Sequence, residues 1–255
     1  MSLYIHSNYA GNLADCHKHQ WLCYLLAWQR PASYLETHAG GGCYTLPEGG
    51  RWQQGIGQLW PLQHPGLSDH WHQALRQLNP DGIQHYPGSP WLAREILGDE
   101  PLLLFELDMA TSDQLRQTLP GADVRTGDGF SSVVHLIDSG CFLMVDPPYT
   151  NLYDFDRAMM LLNLVLQRQD CSMMLWYPRF RDQRETPYLE EITTLLQATA
   201  DVPAWRNELT FAEPQGSLRG SGVLVVGASA PDEAQLAALT DQLAGIGARV
   251  EQLGS

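Results

Sequence analysis

Residues 141–149 read Cys141-Phe142-Leu143-Met144-Val145-Asp146-Pro147-Pro148-Tyr149. The uninterrupted apolar run Cys141–Val145 has the form of a strand buried on both faces, which is characteristic of parallel sheets. Two prolines cannot continue a strand ladder, so the chain turns after Asp146. The turn leaves a carboxylate, a proline carbonyl and an aromatic ring at the C-terminal edge of a sheet, where open α/β folds bind ligands. These groups suit one kind of chemistry. An exocyclic amine on a nucleobase is a poor nucleophile because its lone pair is conjugated into the ring. Asp146 and the Pro147 carbonyl can accept its two hydrogens and draw it toward a tetrahedral, reactive geometry. Tyr149 offers a ring on which an extruded base can stack. Taken alone, the motif is also compatible with a strand that simply ends in a Pro-Pro turn.

Outward from this strand, helices and strands alternate. A helical pattern over 12–30 stops at Pro31. Ser33–Thr37 is a short first strand that runs into the glycine-rich turn His38–Cys43. Residues 46–85, rich in Gln, Trp, His, Pro and Gly, read as a helical insertion with one helix at Ser68–Leu78. Ser89-Pro90 starts a helix through Leu97. Leu102–Leu107 is a second strand, Ser112–Thr118 a helix and Asp123–Arg125 a third strand. The fourth strand carries the motif, and a helix follows over 154–167. Ser172–Tyr177 is a fifth strand stopped by Pro178, and Tyr188–Ala200 is a helix. Ala204–Phe211 and Gly222–Gly227 form a hairpin at one edge, before a last helix over 231–246. The pattern predicts a single α/β domain over 1–255, with a mostly parallel seven-stranded sheet, an antiparallel edge hairpin and the insertion at 46–85.

Four features follow the first four strands in turn. The glycine turn after the first lets backbone approach a ligand closely. Glu106, at the end of the second, can accept hydrogen bonds from ribose hydroxyls. Asp128-Gly129 follows the third and can edge an adenine ring, and Asp146 follows the fourth. Each has a bland explanation by itself, but the four together fall in the order a class I S-adenosylmethionine-dependent methyltransferase requires. The histidine pairs His17/His19 and His70/His72 are spaced i, i+2, which does not share a helical face, so no metal is expected. No GxSxG elbow supports a serine hydrolase.

Composition sets outer limits. No apolar run is long enough to cross a membrane, and the N-terminus lacks a secretory pattern, so a cytoplasmic protein is expected. The five cysteines are scattered without a CxxC pair, which fits a reducing compartment. The net charge is −14, with Lys18 the sole lysine beside fourteen arginines. A nucleic-acid ligand then requires a local gathering of cations. Arg179, Arg181 and Arg184 cluster after the fifth strand, a pattern equally compatible with a solvated loop.

The segments Tyr4-Ile5-His6-Ser7, Ala10-Gly11-Asn12, Ala14-Asp15 and Lys18-His19 resemble the start of the RlmJ family, the bacterial 23S rRNA adenine-N6 methyltransferases. Thr37–Gly40, Tyr86–Pro90, Asp128–Phe130, Asp146–Tyr149, Leu175–Pro178 and Arg219–Gly222 are similar to that family's further motifs, in its order. Glu36 and Gly42-Cys43 depart slightly from its first motif, and the chain is poorer in lysine and more acidic than an RNA-binding surface calls for. The resemblance implies a monomeric class I fold acting on an adenosine 6-amino group in 23S rRNA, with S-adenosylmethionine as cofactor. It implies cofactor contacts at His19, His38, Ser89, Glu106, Asp128, Gly129 and Asp146, and work at the target base by the segment carrying Tyr4, His6 and Lys18. Lys18, Arg179, Arg181, Arg184 and Arg219 are then the expected cations at the site mouth. A DNA adenine methyltransferase and a non-catalytic RNA-binding relative are the alternatives.

Overall fold

The computed structural model describes residues 8–61, 69–168, 170–199, 201–244 and 249–253. At its centre lies β6 (Cys141–Val145), buried at every position. Phe142 and Met144 face one apolar cluster, and Cys141, Leu143 and Val145 face the other. β1 (Ser33–Glu36) pairs with it in parallel on one side, and β7 (Ser172–Phe180) on the other. Beyond β1 come β4 (Leu102–Glu106) and β5 (Asp123–Thr126), also parallel. Beyond β7 come β9 (Leu218–Val226), antiparallel, and then β8 (Ala204–Gln215). β10 (Arg249–Leu253) closes that edge, so the order is β10-β8-β9-β7-β6-β1-β4-β5. This contains the expected seven-stranded class I methyltransferase sheet, and β10 adds an eighth strand that sequence analysis did not include. The connections leave β1 and β6 toward opposite edges. The crevice between their C-terminal ends is therefore the topological switch point, where such sheets bind ligands.

Helices cover both faces. α1 (Leu13–Gln29), α4 (Ser89–Leu97), α5 (Met109–Thr118) and α9 (Glu233–Ala244) contribute buried side chains to one cluster. α6 (Gly129–Val133), α7 (Tyr153–Leu166) and α8 (Thr186–Ala198) contribute to the other. α1 starts where the Asn12 side chain accepts from the Asp15 N–H at 2.9 Å, an N-cap that satisfies an orphan donor. It ends at Arg30 in the left-handed region (φ 47°), just before Pro31. It is buried on most sides because β9 lies beneath it and α4 beside it. His17 therefore sits inside the protein, bonded to Ser221 Oγ at 3.0 Å and Asn207 Oδ1 at 2.8 Å. Burial pushes its imidazole down to about 4, so it is neutral at physiological pH and serves as a core hydrogen-bonding group. Among the described residues no helix is long and apolar enough to cross a membrane.

Two strands run further than the sequence suggests. β7 continues through Pro178, which pairs with Ser221 on β9. Its parallel partner β6 stops at Val145 opposite Leu175, so among the described residues β7 has a strand neighbour on only one side from there on, where proline is tolerated. β8 and β9 likewise extend to Gln215 and Leu218 around a turn with Gly216 at φ 65°. The exposed polar segment 212–217 concealed this in the sequence. In the 46–85 region β2 (Cys43–Thr45) pairs antiparallel with β3 (His85–Pro87). Between them lie a 3₁₀ turn (Arg51–Gln54), α2 (Ile56–Leu59) and α3 (Asp69–Leu78). Ile56, Trp71 and Leu75 join the same apolar cluster as α1.

The blade of β7, β8 and β9 depends on one close approach. A Cβ on Gly222 would lie 2.1 Å from the ring of buried Tyr177, whose hydroxyl donates to Glu208 Oε1 at 2.8 Å. We expect Gly222→Ala to lower stability by about 1–3 kcal/mol through overpacking. Urea unfolding should show a lower midpoint with an unchanged slope; an unchanged midpoint would mean that Tyr177 shifts freely.

Candidate active site

Asp146 follows β6 directly, and its Oδ2 accepts from Lys18 Nζ at 2.5 Å. Lys18 also reaches Asp15 Oδ1 at 2.9 Å, and its side chain is only 6% exposed. Burial by itself would lower the ammonium's pKa, but the charges of Asp146 and Asp15 outweigh it and the shift is upward. Lys18 is therefore fully charged, and it anchors α1 to the C-terminal edge of the sheet. This corrects one expectation. Lys18 does lie at the site, but it is committed to two carboxylates and is not an outward cation for phosphate.

Four expected cofactor residues, His19, His38, Ser89 and Asp146, line one pocket with Lys18 and Gly40. His19 stacks on Tyr86, with Nδ1 3.0 Å from the Tyr86 hydroxyl. Ser89 opens α4 and donates to Glu36 Oε1. Glu36, at the end of β1, also accepts from the Tyr34 hydroxyl at 2.9 Å and is completely buried. His38 packs edge-on against Phe130 at 4.7 Å, and burial pushes it down to about 4.

The remaining three expected cofactor positions, Glu106, Asp128 and Gly129, form a second group beside this pocket. Glu106 Oε2 accepts from the Gly40 N–H and Oε1 from the Asp108 N–H, both at 2.9 Å. Each oxygen keeps a lone pair for a further donor. Gly40 has φ 62°, and a Cβ there would lie 2.1 Å from the Tyr44 hydroxyl, so both conformation and space require glycine. Asp128 caps α6 through the Phe130 N–H at 3.1 Å. Gly129 lies against the Thr37 backbone, where a Cβ would meet the carbonyl oxygen at 2.0 Å. The glycine turn, Glu106, Asp128-Gly129 and Asp146 thus meet at one edge although they are far apart in sequence.

Other expectations fare differently. Tyr149, at φ 48°, turns its ring into the core between Phe155 and Trp176 and donates its hydroxyl to the Trp176 carbonyl at 2.7 Å. It braces the Asp-Pro-Pro turn and presents no open face to a base. The arginines do gather around the outer end of β7, but two are held internally. Arg179 pairs with Glu208 at 2.9 Å and Arg219 with Glu185 at 3.2 Å. Arg184 stacks on Phe180 at 3.6 Å and lies 3.6 Å from Asp182, while Arg181 is exposed. Tyr4 and His6 lie outside the described residues. Sequence reasoning missed Asp15, Glu36 and Arg157. The Asp-x-x-Lys spacing on α1 and the acid ending the apolar β1 were available signals. Nothing local marks Arg157, which meets Asp128 only through the fold.

Burial pushes Glu36 up to about 8 from its ordinary 4.5; the Ser89 and Tyr34 hydroxyls oppose this, and Asp146 adds to it. The folded protein therefore binds this proton more tightly than the unfolded chain does. Its contribution to stability is complete below pH 4.5 and is lost as pH rises through about 8. One such proton gives a slope of up to about 1.4 kcal/mol per pH unit. Glu36→Gln cannot titrate, so it should gain stability relative to wild type between these limits. Denaturation profiles that run parallel across the range would show that Glu36 is ionised in the folded state.

Comparison with known proteins bears on the family and the fold. A family model described as "Ribosomal RNA large subunit methyltransferase D, RlmJ" matches residues 29–251. Ribosomal RNA large subunit methyltransferase J of Escherichia coli is 28% identical over 248 residues, covering 89% of this chain and 87% of that protein. The Haemophilus influenzae protein of the same name is 28% identical over 249 residues, with the same coverage. Among solved structures, protein LPL1258 of Legionella pneumophila superposes with a TM-score of 0.83 at 24% identity, covering 97% of this chain and 99% of that one. An O-methyltransferase of Bacillus cereus in complex with SAH shares the fold at a TM-score of 0.50 and 13% identity, covering 87% of this chain and 84% of that one. The chain belongs to the RlmJ family of large-subunit ribosomal RNA methyltransferases, and S-adenosylmethionine is the methyl donor that goes with that family and fold.

Proposed function

We propose that this chain methylates the 6-amino group of an adenosine in 23S rRNA. The observation that carries the reading is the carboxylate of Asp146, held by Lys18 at the switch point beside the pocket of His19, His38 and Ser89. Substrate and family support a cytoplasmic enzyme acting as a monomer, one domain over 1–255 with 46–85 inserted in it.

The residues fit the cofactor group by group. Ser89, at the N-terminus of α4, and His19 hold its amino-acid end. Glu106 takes the ribose hydroxyls on its remaining lone pairs, and Asp128 with the Gly129 backbone edges the adenine. S-adenosylmethionine supplies an electrophilic methyl on a sulfonium. Asp146 and the Pro147 carbonyl accept the two hydrogens of the target amine, which localises its lone pair for attack. Lys18 fixes the Asp146 carboxylate in place, so the acceptor needs no reorganisation during the reaction. Catalysis is then largely a matter of positioning. The proton leaves the methylated amine to Asp146 or to water. Tyr149 supports the turn from beneath. The projecting end of β7, with Arg181 and Arg184 outermost, is our candidate for contact with the RNA backbone, together with the segment carrying Tyr4 and His6.

We expect Asp146→Asn and Asp146→Ala to cut turnover at least 100-fold, the loss of about 3–4 kcal/mol of transition-state stabilisation that follows removal of one preorganised group. Lys18 keeps Asp15 as a partner at 2.9 Å, so the fold should persist in both variants. Transfer of labelled methyl to 23S rRNA, set against adenine-containing DNA, checks the activity. Near-wild-type turnover in either variant would remove Asp146 from the mechanism. Transfer to DNA alone would replace the substrate, and cofactor binding without any transfer would favour a binding protein.

A further inference from the structure

Arg157 lies on the first turns of α7, just after the catalytic loop, yet its side chain points to the other end of the proposed cofactor site. Its Nη2 pairs with Asp128 Oδ2 and donates to Ser131 Oγ at 3.0 Å. The guanidinium lies 4.6 Å from the ring centre of Phe130 and 5.7 Å from that of Tyr153. His38 packs edge-on against the same Phe130 ring. A bare surface ion pair contributes little. This one differs because a planar fork is held by a carboxylate, a hydroxyl and two rings together. The Arg157 side chain is 22% exposed.

The consequence lies in the lone pairs of Asp128. Oδ2 accepts from Arg157 and from Ser131 Oγ, the latter at 2.9 Å, so it is filled. Oδ1 accepts from the Phe130 N–H at 3.1 Å, and the Ser131 N–H adds a backbone hydrogen bond to the carboxylate. Partial burial would raise the carboxyl's pKa, but the hydrogen bonds and charge of Arg157, with Ser131, hold it below its ordinary value. The carboxylate is thus both ionised and fixed in rotation: Oδ2 is committed to the side chains of Arg157 and Ser131, and Oδ1 is the oxygen that no side chain engages.

We propose that Arg157 is a positioning residue for the cofactor's base: it aims Asp128 Oδ1 so that the site accepts a 6-amino purine and rejects a 6-oxo purine. This rests on the cofactor reading above, and the closing experiment separates the two. Calorimetry would measure binding of S-adenosylhomocysteine and S-inosylhomocysteine, which carry the same charge, so long-range effects of removing a cation cancel in the ratio. Wild type should prefer the adenosyl compound on the order of 10-fold, the effect of one hydrogen bond to a charged group. Asp128→Ala should abolish that preference. Arg157→Ala and Arg157→Lys should both reduce it to about 3-fold or less, since lysine restores charge but not the fork. Asp128→Ala combined with Arg157→Ala should discriminate no less than Asp128→Ala alone, because the two act as a unit. A purely structural role for Arg157 would weaken both ligands equally and leave the ratio at its wild-type value, and that result overturns the proposal, as would full discrimination in the lysine variant. Wild type that binds neither compound would overturn the cofactor reading itself.

Discussion

The site depends on one buried ammonium. Lys18 sits between Asp15 and Asp146, with contacts of 2.9 and 2.5 Å. A charge removed from water costs several kcal/mol unless it is paired and hydrogen-bonded, and removing one partner of such a pair typically costs about 3–5 kcal/mol. The two carboxylates therefore fix where α1 lies over the sheet. They also fix the carboxylate of Asp146 at the edge where the topological switch point opens a crevice. Glu36 is a further carboxyl near the same ammonium, fully buried, and it is satisfied instead by two hydroxyls, from Ser89 and Tyr34. The cluster combines a paired charge with a protonated acid, which keeps repulsion among its carboxyls low.

The same economy governs the arginines. Arg179 with Glu208 and Arg219 with Glu185 stiffen the part of β7, β8 and β9 that projects beyond the end of β6. This projection needs internal support because, among the described residues, β7 has no parallel neighbour there. Cations spent on that support are unavailable for phosphate, which leaves few for RNA on a chain of net charge −14. Few phosphate contacts imply a shallow salt dependence, since the slope scales with the counterions released.

Much of the architecture was legible in the residues alone. The all-apolar Cys141–Val145 followed by two prolines could only be a doubly covered strand with an abrupt end, and it is. The order of the glycine turn, Glu106, Asp128-Gly129 and Asp146 along the chain gave the topology, because each marks the end of a successive parallel strand. Less was legible where propensity and context disagree. Pro178 suggested a strand end, but a strand with one free side accommodates it. Tyr149 suggested an open stacking face, but the turn has φ 48° at that residue and sends the ring inward.

The sequence by itself determined the class of sheet, the carboxylates at its edge and the family, since these are written in local pattern and motif order. Tertiary structure alone decided which charges are free. Lys18, Arg179 and Arg219 look the same in sequence as any solvated cation. They became internal partners because the fold places Asp146, Glu208 and Glu185 within reach, and a carboxylate at low dielectric must be compensated by whatever cation the packing brings to it.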